Sequence, residues 1–123
     1  MATLDTTIKL TSSTVSSDES LNLTTRDSLL VTEPSANLTT LSVSTEIATN
    51  ILTTSNGAPT YVYVKNLDDT NFVLLYTDAG VAWGRLSAGE SAFFCVYDSQ
   101  GLEVKANTAA CLIEYSYWTK DNK

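Results

Sequence analysis

The chain has 123 residues, 43% of them hydrophobic and 17% charged, the size and composition of one globular domain rather than of two cores or a disordered chain. Seven basic against fourteen acidic residues leave a net charge of −7. That balance excludes the basic patch with which a nucleic-acid binder displaces counterions, and it sets an anionic membrane surface against the protein.

The first 20 residues, MATLDTTIKLTSSTVSSDES, show neither a basic start nor an apolar run of signal-peptide type. No stretch approaches the roughly 20 apolar residues of a membrane-spanning helix. The expected site of synthesis and use is therefore a cytoplasm, where Cys95 and Cys111 are predicted to be reduced thiols buried in apolar strands.

The chain changes character near residue 57. Ser and Thr fill 24 of the first 56 positions but 9 of the remaining 67, and all eleven aromatic residues lie at or after Tyr61. Both halves nevertheless alternate at period two, the spacing of a half-buried strand. Ile8 and Leu10 alternate with Thr7, Lys9 and Thr11, and Leu4 shares their parity. Leu21 and Leu23 alternate with Ser20, Asn22 and Thr24, and Leu41 and Val43 continue the habit after Leu38. Ser16-Ser-Asp-Glu19 and Glu33-Pro-Ser-Ala-Asn37 carry turn chemistry between these runs. From Ser44 to Leu52 a strand competes with a short helical turn, because Ile47 and Ile51 stand four apart behind a potential cap at Ser44; the β-branched content favours strand.

In the second half the predicted strands are Thr60–Lys65, Phe72–Tyr76, Val81–Leu86, Ser91–Tyr97, Leu102–Ala106 and Ala110–Trp118. Asn, Asp and Gly turns separate them at roughly ten-residue intervals, the pattern of an all-β sandwich or barrel. Eight to ten strands exceed what one open layer holds comfortably, so the expected fold is an all-β, jelly-roll-like two-sheet β-sandwich spanning residues 1–123. Residues 1–17 are set apart as an assembly arm.

Chemistry is sparse. The sequence contains no histidine, which removes the commonest general base and the Ser-His and Cys-His nucleophile pairs. The five glycines stand singly in turns rather than in a phosphate-binding loop. Asp68-Asp-Thr-Asn71 offers oxygen ligands for calcium but lacks a dedicated calcium-loop pattern, so it reads as a turn. Asn22-Leu-Thr24 and Asn37-Leu-Thr39 match the glycosylation pattern by weight of threonine alone. The reading is a non-enzymatic protein with no cofactor and no metal. Its candidate interface residues are Tyr61, Tyr63 and Lys65 on one strand face, Trp118 on the wetter face of the last strand, and Ile8 and Leu10 in the arm. A competing role for the rings is a sugar-stacking platform, and a third is ordinary cross-strand packing.

From Tyr61 to Tyr117 the sequence resembles small structural proteins of tailed bacteriophages. The likeness rests on Tyr61-Val-Tyr-Val-Lys-Asn66, Asp68-Asp-Thr-Asn-Phe72, Leu86-Ser-Ala-Gly-Glu-Ser-Ala-Phe-Phe94 and Lys105-Ala-Asn-Thr-Ala-Ala110. It implies a virion protein, assembled in the host cytoplasm, that decorates or cements a capsid as a homo-oligomer by binding the major capsid protein or other virion proteins. Neck or tail components belong to the same group. Nucleic acid and membrane are not expected partners.

Overall fold

The alternation becomes ten strands in the computed structural model, which describes residues 2–13, 20–34, 38–52, 60–96 and 101–120. These are β1 (Ala2–Ser13), β2 (Ser20–Pro34), β3 (Thr39–Val43), β4 (Thr49–Leu52), β5 (Thr60–Asn66), β6 (Val73–Tyr76), β7 (Ala82–Leu86), β8 (Ser91–Val96), β9 (Leu102–Ala106) and β10 (Cys111–Lys120). Every pairing is antiparallel. One sheet runs β1-β2-β10-β5-β8, with β3 also paired to β10; the other runs β4-β9-β6-β7.

Without β1 and β2, the sheets are β3-β10-β5-β8 and β4-β9-β6-β7. From β3 onward the chain changes sheet at every connection except the β6–β7 hairpin, which is the double-sheet winding of a jelly roll. The expected sandwich is therefore the observed one.

The core fills the space between the sheets. Val62 and Val64 from β5, Cys111 and Ile113 from β10, and Val43 from β3 meet Val73 and Leu75 from β6 and Leu102, Val104 and Ala106 from β9. Aliphatics of this size contribute about 1.5–3 kcal/mol each on full burial. The β9 burial pattern alternates strictly, as one inward face demands.

Three local expectations are corrected. Glu33 and Pro34 belong to β2 rather than to a turn; Pro34 lies opposite Trp118 at an irregularity, where a missing N–H is tolerated. The other two expected turn positions, Ser16–Glu19 and residues 35–37, lie outside the described residues. Between Ser44 and Leu52 only Thr49–Leu52 is strand. The Ser44 hydroxyl accepts from the Glu46 and Ile47 amides at 3.3 and 3.2 Å, capping a bend instead of a helix. Ile47 is exposed and Ile51 buried, so the spacing of four does not place them on one face.

Cys95 is the third correction. It is exposed, whereas Cys111 is buried as expected; both are free thiols. Cys95 pairs with Tyr61 in register, so the pleat sends it to the outer face while Phe94 and Val96 turn inward.

Candidate functional site

Outside the main core the protein presents three surfaces that can bind. The first is the outer face of the larger sheet. Register places Tyr61, Tyr63 and Lys65 of β5 beside Trp118, Ser116 and Glu114 of β10, and on the other side beside Cys95, Phe93 and Ser91 of β8. The sequence-predicted residues Tyr61, Tyr63, Lys65 and Trp118 thus share one face. Tyr61 and Phe93 stack with centroids 6.1 Å apart. The Tyr63 hydroxyl donates to Glu114 Oε1 at 2.9 Å.

This face is only partly open. Tyr61, offered as an interface residue, is only 5% exposed and so is not open to a partner, while Tyr63, Lys65 and Trp118 are half-buried. Val31 of β2 is also buried, and neither it nor Tyr61 belongs to the main core. By register both lie on the outer side of the larger sheet. Burial raises the Tyr61 phenol above its ordinary value, helped by Cys95 and the charge of Asp27. Burial likewise raises Tyr63, reinforced by its bond to the Glu114 carboxylate and by that charge.

The second surface is a ribbon of β1 and β2. The two strands pair along their full described length, from Ala2 opposite Val31 to Ser13 opposite Ser20. Among the described residues, Val31 and Pro34 carry the pairing of β2 with β10. The N-terminal part of β2, up to Leu30, therefore pairs with β1 alone among the described residues and runs on past the end of β10. Residues 2–13 are thus not a lone strand; their partner edge comes from their own chain.

Register makes the ribbon amphipathic. Leu4, Ile8 and Leu10 share a face with Leu23, Leu29 and Val31, interrupted by Thr6, Thr25 and Asp27, while Thr3, Asp5, Thr7, Lys9 and Thr11 share the other with Asn22, Thr24, Arg26, Ser28 and the exposed Leu30. On the polar face Ser28 donates to Asp5 Oδ1 at 2.9 Å. The apolar face is covered at its base, where Val31 is buried and Leu4 and Leu29 are half-buried. Farther out Ile8, Leu10 and Leu23 are 42%, 49% and 43% exposed.

The third surface was missed at the sequence level. Trp83 is 51% exposed on β7, the edge of the smaller sheet. Gly84 pairs with Leu75 and Ala82 with Tyr76, so Trp83 is the extra residue of a β-bulge, a device that re-aims a side chain. Its ring meets Phe94 edge-on at 5.4 Å, closing the side of the sandwich between β7 and β8. Leu74, Ala82, Gly84 and Arg85 complete a shallow groove of about 320 Å³ around it. The Arg85 guanidinium stands 3.8 Å over the Phe72 ring. A tryptophan two residues before an arginine in a hairpin was the available signal, but a bulge cannot be read from spacing.

The acidic turn is occupied by its own backbone. Asp68 Oδ2 accepts from the Thr70 and Asn71 amides at 3.0 and 2.6 Å, and these bonds hold its carboxyl below the ordinary value. No three acidic or thiol side chains converge as a metal-ligand set among the described residues. Comparison with protein-family models and with curated proteins returns no match.

Proposed function

We propose that this protein is a non-enzymatic virion structural protein that decorates or cements a bacteriophage shell by binding the major capsid protein. The observation that carries the reading is the ribbon: a jelly roll with its own core between two sheets carries a two-stranded extension whose more apolar face has no second layer among the described residues. A two-stranded hairpin is marginal by itself. Its sequence is economical only where another surface covers it, as in an assembly. Jelly rolls serve viral capsids, and also lectins, so the architecture is compatible with the proposal without selecting it. A net charge of −7 keeps many copies soluble before they meet a shell, and repetition on a lattice converts weak contacts into avidity. Neck and tail positions are the alternative within the same class.

The test is co-sedimentation of the purified chain with empty shells of the major capsid protein, followed by electron microscopy of the parent particle. Saturable binding and ordered density on the shell are expected. Density at the neck or tail would move the protein to the alternative position, and absence from the particle would sink the reading.

Trp83 supports one further reading, a carbohydrate-binding module. A half-exposed indole beside a guanidinium and a shallow groove is a surface on which a sugar ring stacks. Saturable glycan binding lost in Trp83→Ala would favour it over the virion role.

A further inference from the structure

We infer that the free edge of β1 pairs with the same edge of a second copy of this chain, antiparallel and centred on Thr7, so that two ribbons join into one four-stranded sheet. β1 ends the larger sheet and, among the described residues, pairs with β2 alone. It keeps twelve successive pairs with β2 without a register shift and contains no proline. Its outer side is therefore a long, straight row of backbone N–H and C=O groups with no partner strand among the described residues. An edge of that kind templates another strand, and proteins ordinarily shorten, bulge or cover it. The other edges here are blunted in those ways. β7 is bulged, β4 is four residues long with an irregularity, and β3 and β8 span five and six residues.

Register names the occupant. Two edges related by a two-fold axis normal to the sheet keep like faces together only when paired positions share parity. Asp5 and Lys9 share it, and a single register, the one centred on Thr7, sets Asp5 of each copy opposite Lys9 of the other. The same register sets Thr3 opposite Thr11, Leu4 opposite Leu10 and Thr6 opposite Ile8. Opposite charges and apolar pairs directly across a ladder stabilise it, and like charges there destabilise it. Leu4 and Thr6 also cover the outer flanks of Leu10 and Ile8, which are 49% and 42% exposed in the single chain. The free stretch of β2 has no such register. Arg26 and Asp27 are adjacent and so of opposite parity, and centring on either sets it against its own copy.

The backbone and the overall charge fit the same arrangement. Residues 2–12 of the two copies overlap along about 37 Å, and shared parity brings the outward backbone groups of one strand to those of the other in about ten hydrogen bonds. Antiparallel pairing places the base of each ribbon beside the tip of the other, so the two jelly rolls lie at opposite ends of the joined sheet. Asp5 and Asp27 balance Lys9 and Arg26 within residues 2–13 and 20–31, so the charge of −7 belongs to the rest of each chain. Those acidic bodies stand roughly 30 Å apart, well beyond the screening length of about 8–10 Å. An edge about 10 Å high buries less than the roughly 1,200 Å² at which standard interfaces begin, so the dimer is weak and reversible.

Pairing needs only the isolated chain, whatever it binds on a particle. Sedimentation velocity over a concentration series should show the mass rising from that of the monomer to twice that value and no further. Asp5→Lys and Lys9→Asp each create two like-charge pairs across the seam and should weaken dimerisation about 10-fold, whereas the double variant restores opposite charges and should recover it. Ser28→Ala removes the hydrogen bond that Asp5 accepts within its own ribbon and should leave the mass unchanged. In a Cys95→Ser background, Thr7→Cys stands opposite its own copy and should form an intermolecular disulfide on mild oxidation, while Thr3→Cys, about 27 Å from its copy, should not. Thr3, Asp5, Thr7 and Lys9 are all exposed, so these substitutions spare the core. A natural chain that stays monomeric at its highest soluble concentration overturns the inference. So do species larger than a dimer, a double variant no better than the single ones, or a Thr3→Cys chain that cross-links as readily as Thr7→Cys.

Discussion

Asn66 is the residue whose removal the structure makes easiest to price. It ends β5, is fully buried, and ties three segments together. Its side-chain amide donates to the carbonyl of Asn71 at 2.9 Å and to that of Leu86 at 3.1 Å. Its Oδ1 accepts from the Asp68 amide at 3.0 Å. Its backbone adds bonds to Glu90 and Gly89, so the β5–β6 and β7–β8 turns are both anchored on it. Asn66→Ala leaves the backbone bonds and removes the three side-chain bonds. The buried Leu86 carbonyl then lacks this donor, at about 1–3 kcal/mol, and the two part-buried bonds add about 0.5–1.5 kcal/mol each. The sum, about 2–6 kcal/mol, is a large share of the 5–15 kcal/mol of a typical domain. Urea unfolding followed by tryptophan fluorescence should show an unfolding free energy lowered by that amount, read as a lower midpoint at unchanged slope. Asn66→Asp should be worse than Asn66→Ala, because it keeps the acceptor but turns a negative charge on two carbonyls. A loss below about 1 kcal/mol for Asn66→Ala, or a milder effect of Asn66→Asp, would refute the anchoring argument.

Gly84 faces Leu75, whose Cδ1 would lie 3.0 Å from an added Cβ. Gly84→Ala should therefore cost about 1–3 kcal/mol in denaturant unfolding; combining it with Leu75→Val should cost less than the sum of the two. Burial raises the Glu103 carboxyl, and Asp78 adds a hydrogen bond and a like charge. An acid raised in the folded state binds its proton more tightly there than when unfolded. This group's stability contribution is therefore full below the ordinary carboxylate value and is lost as pH rises through the raised one. Glu103→Gln should raise the melting temperature at neutral pH more than near pH 4, and equal shifts at both would contradict the assignment. Thiol labelling of the native protein should modify Cys95 at once, while Cys111, buried with its thiol 3.4 Å from the Ala109 carbonyl and pushed up by desolvation and then by Asp68, should react only on unfolding. Rapid loss of both thiols would place Cys111 outside the core.

The aromatic half was legible because each of its strands is short and bounded by turn residues that act locally. Asn66 and Asp68 cap their own turn, and Gly80 and Gly89 hold positive φ at two others. Period two then fixed which side chains go together, and register placed Tyr61, Tyr63, Lys65 and Trp118 on one face as their parity requires. How much water that face sees was not legible. Exposure depends on what lies alongside, and Tyr61 is buried with its ring stacked on Phe93, a contact made across more than thirty residues of chain. Cys95 shows the complementary error. An apolar neighbourhood in sequence suggested burial, yet adjacent positions of a strand point in opposite directions.

The Ser/Thr-rich half was harder for a related reason. Parity alone put Leu4, Ile8 and Leu10 on one face, and the structure keeps them there. What parity does not say is whether a second layer covers that face. In the jelly roll the question answers itself, because each sheet's inner face is the other's cover. In the ribbon the same alternation yields a face that, among the described residues, has no opposite sheet. Had this segment been a core strand, its aliphatics would be as dry as Val62 and Val64, and had it been a solvated tail, threonine would stand where Ile8, Leu10 and Leu23 do. An ordered strip of half-exposed aliphatics, neutral in a chain of charge −7, fits neither case. It fits a surface whose second layer is another molecule, and for that reason the ribbon, rather than the aromatic face first singled out, is where assembly should begin.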